Sequence, residues 1–221
     1  MKVRKIFSIA INLIAAIAST VGFIVVGNSL TSVHFIKFFT LVTNLLIIVF
    51  SLVSVGYGVD ALIKKDKETV LRTPIFVFKL ITATCSLITF LTVVCYLQYT
   101  VYIGIGPDNV LFWNNIFHHY LAPLAFFAGL IFFDLDKKYS FKTTFFGIIV
   151  LVMYMAYAIP LSNLNLSWWG EAPYVFMDMN NVKWFMFLLM PGFLITWDFL
   201  IEERLSVMAK SLIKLSNSKI I

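Results

Sequence analysis

The sequence predicts an all-α integral membrane protein, a bundle of six transmembrane helices with both termini in the cytoplasm. Composition is the first observation that predicts it. Of the 221 residues, 61% are hydrophobic and 13% are charged, whereas a typical soluble domain has about 25% charged residues. The second is that the apolar residues occur in runs of about 20, the length a helix needs to cross the hydrocarbon core of a bilayer. An ordinary soluble domain is excluded, because one core cannot bury this much apolar surface.

Six apolar stretches have the length of a transmembrane helix. They run approximately over residues 6–27, 38–59, 80–103, 111–133, 145–161 and 184–201. None alternates with a period of two, which disfavours a membrane barrel. We therefore expect residues 1–201 to form one transmembrane domain. Residues 202–221 mix apolar and basic side chains and predict a cytoplasmic amphipathic tail.

The basic residues indicate the orientation of the chain. Most of the 17 lysines and arginines lie at the N-terminus, in the connections 64–72 and 137–142, and in the tail. By the positive-inside rule these segments face the cytoplasm, and the expected location is the plasma membrane. Lys79 is interpreted as marking the edge of the third span, and Asp134 as solvated at the cytoplasmic end of the fourth. The net charge of +6 is interpreted as attraction to anionic membrane lipids and not as nucleic-acid binding.

The first 19 residues also resemble a signal peptide, because basic residues precede an apolar run and Ala16-Ile17-Ala18 is similar to a cleavage site. The apolar run continues to Val26, however, and is long enough for a full span. We therefore expect an uncleaved first helix.

Polar residues at membrane depth identify the candidate site. In the second span Lys37, Thr40 and Asn44 share one helix face, and in the fourth span Asn114 and His118 share another. Both spans enter from the outer side, so the two faces lie at similar depth. Because polar groups are costly against lipid, we expect these faces to meet inside the bundle.

A hydroxyl beside an imidazole is the minimum for nucleophilic acyl transfer. Thr40 is the candidate nucleophile and His118 the candidate general base, with Thr43 and His119 as alternates. The alternative interpretation is structural, since threonine hydroxyls in helices usually bond the carbonyl one turn back. The three histidines have no Cys or carboxylate at metal-ligand spacing, so we expect no metal or cofactor.

Three short segments carry a resemblance to the androgen-induced membrane-protein family: Lys37-Phe38-Phe39-Thr40, His118 with Pro123, and Tyr174-Val175-Phe176-Met177-Asp178. The resemblance extends over nearly the whole chain in span number and order. Residues 39–44 look most like the family's bacterial six-helix branch, the Pr-six-Pr type. The animal members are threonine hydrolases of fatty-acid esters of hydroxy fatty acids. The resemblance implies that Thr40 attacks and His118 carries the proton, with a lipidic ester as substrate.

The supporting roles have several candidates. Asn44, Asn114 or Lys37 is expected to face the oxyanion. Asp178 is the candidate for orienting His118, and the alternative is a dyad of threonine and histidine without a third residue. The alternative function is a non-catalytic lipid-binding or partner-binding membrane protein, or a transporter subunit, in which the same groups form interhelical hydrogen bonds. An inverted-repeat transporter would have a broken helix in each half, whereas the mid-span prolines, 123 and 191, both lie in the second half.

Overall fold

The structure is a computed structural model that describes residues 2–27, 37–64, 73–94, 98, 103–134, 146, 149–164, 166, 168 and 169. Within these residues the chain is helical and has no strand, as predicted. The helices are α1 (Lys2–Val26), α2 (Phe39–Ile63), α3 (Thr73–Thr92), α4 (Val110–Asp134) and α5 (Ile149–Asn163). The predicted sixth span, 184–201, and the tail, 202–221, lie outside the described residues.

The first four helices are long and apolar enough to cross a membrane, with candidate spans of 23, 25, 19 and 25 residues. The prediction of a helical protein with membrane-spanning segments is confirmed to that extent. Helix α5 is equally apolar but has 15 residues, fewer than the roughly 20 that a full crossing needs.

The third predicted span, 80–103, is wrong at its start, because α3 begins seven residues earlier at Thr73. Lys79 was expected to mark the membrane edge, yet its side chain is 0% exposed inside the bundle. An ion pair with Asp134 compensates its charge, so the helix does not need to end there. Pro74 fits the first turn, where a missing N–H removes no intrahelical hydrogen bond.

Helices α1 to α4 form a four-helix bundle in which each helix packs on its sequence neighbours and α1 closes the ring against α4. The centre is filled by a mixture of small and large apolar side chains: Ala15, Ala18, Ile47, Phe76, Leu80, Ala83, Ala122, Ala125, Phe126 and Leu130. Helix α5 packs outside this ring on α3 through Leu151, Tyr154 and Ala158. Small residues let the helices approach closely, as is typical of membrane bundles.

Large apolar side chains also cover the outside of the bundle. Those at least two-fifths exposed include Ile17, Ile24, Leu45, Leu52, Leu124 and Phe132. Many large apolar side chains on the outside of a bundle are unfavourable in water and favourable against lipid chains. The bundle is therefore apolar outside, and the polar side chains described below lie within it.

Helix α4 changes its winding where its histidines lie. The segment Ile116–Leu121 is a π-helix, and the N–H of Ala122 bonds the carbonyl of Phe117, five residues back. Pro123 has no N–H to donate to the carbonyl of His119, and its ring crowds that turn. The wider π turn accommodates this interruption. It holds His118 and His119 in the bundle interior, where both are buried.

Candidate functional site

Three helices meet at a group of uncharged polar residues that we call the neutral cluster: Ser19, Asn44 and His118. Each of these residues is 0% exposed. The Asn44 side-chain amide donates to the carbonyl oxygens of Thr40 (2.9 Å) and His118 (3.0 Å). Its Oδ1 accepts from the Ser19 hydroxyl at 2.7 Å. Asn44 therefore ties α1, α2 and α4 together at one level of the bundle.

The imidazole of His118 is directed at α1. Its Nε2 lies 3.2 Å from the carbonyl oxygen of Ser19, and its ring meets the Phe23 ring edge-on at 4.8 Å between centroids. A Cβ at Gly22 would lie only 2.2 Å from His118 Cδ2. The ring thus occupies a space that exists because residue 22 has no side chain.

The tautomer of His118 follows from this contact. A carbonyl oxygen only accepts hydrogen bonds, so Nε2 carries the proton and donates it to Ser19. In the neutral ring the lone pair is then on Nδ1. Within the described residues, Nδ1 is buried and has no hydrogen-bond partner, and the same is true of the Thr43 hydroxyl. Leaving a buried polar atom unpaired costs about 1–3 kcal/mol, and neither atom contributes a hydrogen bond to the described fold.

The structure brings Thr40 and His118 close through their backbones. The carbonyl oxygens of both residues accept from the same Asn44 nitrogen. Thr40 is 8% exposed. The polar contact of the His118 ring is to Ser19 on α1, and no hydrogen bond joins it to the Thr40 hydroxyl in the described part of the chain.

The supporting residues lie in different places. Both N–H groups of the Asn44 amide are engaged, so an oxyanion would have to displace one of their acceptors. Lys37 donates to the Trp169 carbonyl oxygen at 2.8 Å, and its own carbonyl accepts from Tyr154 at 2.6 Å. It therefore fastens the start of α2 to α5 and is not part of the neutral cluster. Asn114 is half-buried, with an Oδ1 that has no partner among the described residues.

Two predicted site residues remain, His119 and Asp178. His119 is 4% exposed and, as the next residue along the helix, projects in a different direction from His118. Asp178 lies outside the described residues. Within the described segments, no three His, Cys, Asp or Glu side chains come together as metal ligands would.

A second polar group, the charged cluster, occupies the same bundle: Lys79, Asp134, Asn12, Ser54 and Ser8. The Lys79 ammonium donates to an Asp134 carboxylate oxygen, to Asn12 Oδ1 at 2.6 Å and to Ser54 Oγ at 2.9 Å. The other Asp134 oxygen accepts from Ser8 at 2.8 Å. The sequence interpretation of Asp134 as solvated is wrong, since it is 8% exposed. Its position at the end of a span suggested water, whereas a buried lysine on another helix pairs with it.

Sequence reasoning missed Ser19 and Gly22, the two residues of α1 that receive His118. A signal for them is present. Ala15 and Ser19, and likewise Ala18 and Gly22, are small residues spaced four apart, a pattern that marks close helix approach in membranes. The pattern predicts that another helix packs here, although it does not reveal that the helix contributes an imidazole.

Comparison with known proteins gives no match. No protein-family model, no curated protein and no solved structure matches the chain.

Proposed function

We propose that the chain is a multi-pass protein of the plasma membrane, with six spans and cytoplasmic termini, that hydrolyses a lipidic ester at the neutral cluster. Four apolar helices and the placement of the basic residues support the membrane location. One observation carries the catalytic proposal. The bundle holds a buried imidazole nitrogen with a free lone pair, His118 Nδ1, together with a buried and unpaired hydroxyl, that of Thr43.

In the proposed reaction the hydroxyl oxygen of Thr40 or Thr43 attacks the carbonyl carbon of the ester, and its proton passes to Nδ1 of His118. The bond to the leaving alcohol breaks as the imidazolium returns that proton to the departing oxygen. Water then attacks the acyl-threonine with the same histidine as base, and the free acid leaves. The Ser19 carbonyl holds Nε2–H throughout, which keeps Nδ1 as the basic nitrogen.

Two different observations bear on which threonine is the nucleophile. The family resemblance favours Thr40. The unpaired and fully buried hydroxyl favours Thr43, which lies on the next turn of α2. Both threonines precede Asn44 on α2, and Asn44 joins this helix to His118 on α4, so either assignment uses the same pair of helices.

Active-site labelling tests this proposal. Membranes containing the wild type, Thr40→Ala, Thr43→Ala or His118→Ala are treated with a fluorophosphonate probe, which reacts with activated hydroxyls. We expect His118→Ala and one threonine variant to lose labelling. Thr20→Ala is the matched control, because Thr20 is exposed on α1 and its hydroxyl bonds the Ala16 carbonyl at 2.8 Å. Labelling that persists in both site-threonine variants contradicts the nucleophile assignment.

A second candidate function is a non-catalytic lipid-binding or partner-binding membrane protein. The observation that favours it is the full engagement of Asn44, whose amide nitrogen and oxygen both serve as interhelical links. Under this function the neutral cluster is a clamp between helices. His118→Ala would then lower the melting temperature in detergent, while ester hydrolysis by wild-type membranes would equal that of membranes without the protein.

A further inference from the structure

A cleft that is distinct from both polar clusters opens at the beginning of α4. It has a volume of about 170 Å³ and is lined by Gln98, Ile105, Phe112, Asn115, Ile116 and Tyr120. One water molecule takes up about 30 Å³ of liquid volume, so the cleft has room for a small polar head group. It is too small for a whole lipid.

The polar wall of the cleft is partly unsatisfied. Gln98 Oε1 accepts from Asn115 Nδ2 at 3.2 Å and from the Tyr120 hydroxyl at 3.1 Å, which occupies both of its lone pairs. Asn115 is 5% exposed, and its Oδ1 is buried without a partner in the described segments. The Gln98 Nε2 group likewise makes no hydrogen bond there. The wall of the cleft therefore holds one unpaired acceptor, which is buried, and one unpaired donor.

The rest of the lining selects against charge. Ile105, Phe112 and Ile116 are apolar, and among the described residues no Lys, Arg, Asp or Glu lines the cleft. A charged ligand would lose its hydration here without gaining a counter-charge, which is strongly unfavourable. A neutral ligand with a hydrocarbon portion would instead bury that portion against the three apolar side chains.

We propose that this cleft binds a neutral acyl lipid whose head carries both a hydroxyl and a carbonyl, as in a monoacylglycerol. The hydroxyl donates to Asn115 Oδ1, and the carbonyl oxygen accepts from Gln98 Nε2. The chain of the lipid leaves the cleft along Phe112 and Ile116 toward the bilayer. This binding claim holds whether or not the neutral cluster is hydrolytic, since it uses none of the same side chains.

Photo-crosslinking of the full chain in nanodiscs tests the site. The probe is a monoacylglycerol with a photoactivatable diazirine in its chain, compared with an ionised fatty acid and a phosphatidylcholine carrying the same group. We expect saturable labelling by the monoacylglycerol, with at least about a fivefold preference over either charged-head probe, mapped to residues 98–120. Excess unlabelled monoacylglycerol should remove this labelling.

Two variants of the cleft and one control sharpen the result. Asn115→Leu removes the unpaired acceptor, and half-saturation should shift about tenfold, the equivalent of one lost buried hydrogen bond. Ile116→Trp fills the cleft and should abolish the saturable component. Leu124→Ala is the control, because Leu124 is 44% exposed on the same helix and does not line the cleft.

Three results would overturn the proposal. One is equal labelling by all three probes, and another is saturable labelling that is unchanged in both cleft variants. The third is wild-type labelling that unlabelled monoacylglycerol does not reduce, which indicates a cleft holding water alone. This last result needs no variant, so it decides the question even where Asn115→Leu and Ile116→Trp fail to fold. Loss of fluorophosphonate labelling in the threonine variants tests hydrolysis alone and does not test lipid binding in the cleft.

Discussion

The charged and neutral clusters of the bundle differ in how completely their polar atoms are paired. All three N–H groups of Lys79 have acceptors, and both oxygens of Asp134 accept hydrogen bonds. In the neutral cluster, His118 Nδ1 has no partner in the described part of the chain, and neither does the hydroxyl of Thr43, the residue before Asn44. A buried charge is tolerated only when paired, whereas an unpaired neutral group costs far less. We therefore interpret the charged cluster as a stabiliser of helix assembly, whereas the neutral cluster is the site of the proposed hydrolysis.

The largest expected effect comes from breaking the charged cluster. Asp134→Ala leaves the Lys79 ammonium buried without its counter-charge, which destabilises by about 3–5 kcal/mol. The apparent melting temperature in detergent should fall by on the order of 10 °C. Thermal denaturation followed by size-exclusion chromatography measures it.

Two further variants test whether the loss of stability in Asp134→Ala comes from burying an unpaired charge. Asp60→Ala removes an exposed ion pair, Lys64 to Asp60 at 2.9 Å, whose side chains are 67% and 55% exposed. An exposed pair contributes about 0–1 kcal/mol, so little change is expected. The double variant Lys79→Met with Asp134→Leu removes both charges and should recover most of the stability. A double variant as unstable as Asp134→Ala would show that the charges themselves are needed for the fold.

An intermediate effect on stability is expected at Gly22, where the His118 imidazole packs against α1. Gly22→Ala places a methyl group 2.2 Å from His118 Cδ2, so the ring must move and its contact with Ser19 is lost. Overpacking of this kind costs about 1–3 kcal/mol, and fluorophosphonate labelling should fall with it. Gly56→Ala is the control, since a Cβ there meets nothing within 4 Å. Equal stability of the two variants would mean that His118 does not lie against α1.

The smallest effect should come from the unpaired hydroxyl. Thr43→Val replaces it by a methyl group of the same shape and removes no hydrogen bond, so stability should change by less than about 0.5 kcal/mol. Ser19→Ala, by contrast, leaves Asn44 Oδ1 buried without its donor and should cost about 1–3 kcal/mol. Thermal denaturation compares the two. A loss in Thr43→Val as large as that in Ser19→Ala would show that this hydroxyl has a structural partner.

Much of the fold could be predicted from the sequence, because crossing a bilayer requires long apolar runs. The ends of the first, second and fourth predicted spans agree with α1, α2 and α4 within four residues. The sequence also placed Asn44 and His118 on helices that meet, and the structure joins them by a hydrogen bond. The free-energy cost of exposing a polar group to lipid depends on that residue alone, so it can be judged from the sequence.

The errors concern partners from distant parts of the chain. Lys79 and Asp134 are 55 residues apart, and each alone has the features of a helix end near water. Only their pairing permits burial, and hydropathy evaluates each residue separately. The direction of the His118 ring depends in the same way on Gly22, almost a hundred residues earlier. A single helix gives no information about which neighbour leaves room for its side chains.

The π turn of α4 has a consequence for how the chain tolerates insertions and deletions. Each residue turns a regular helix by about 100°. The extra residue in Ile116–Leu121 therefore determines which way the preceding segment of α4, Val110–Asn115, faces. Deleting one residue there would restore regular winding and turn Asn115 by roughly a quarter circle relative to Phe126. The cleft would then lose its polar wall, while the packed lower part of α4 stayed in register. A one-residue change in length is thus enough to rotate the N-terminal part of α4 while the C-terminal part keeps its packing.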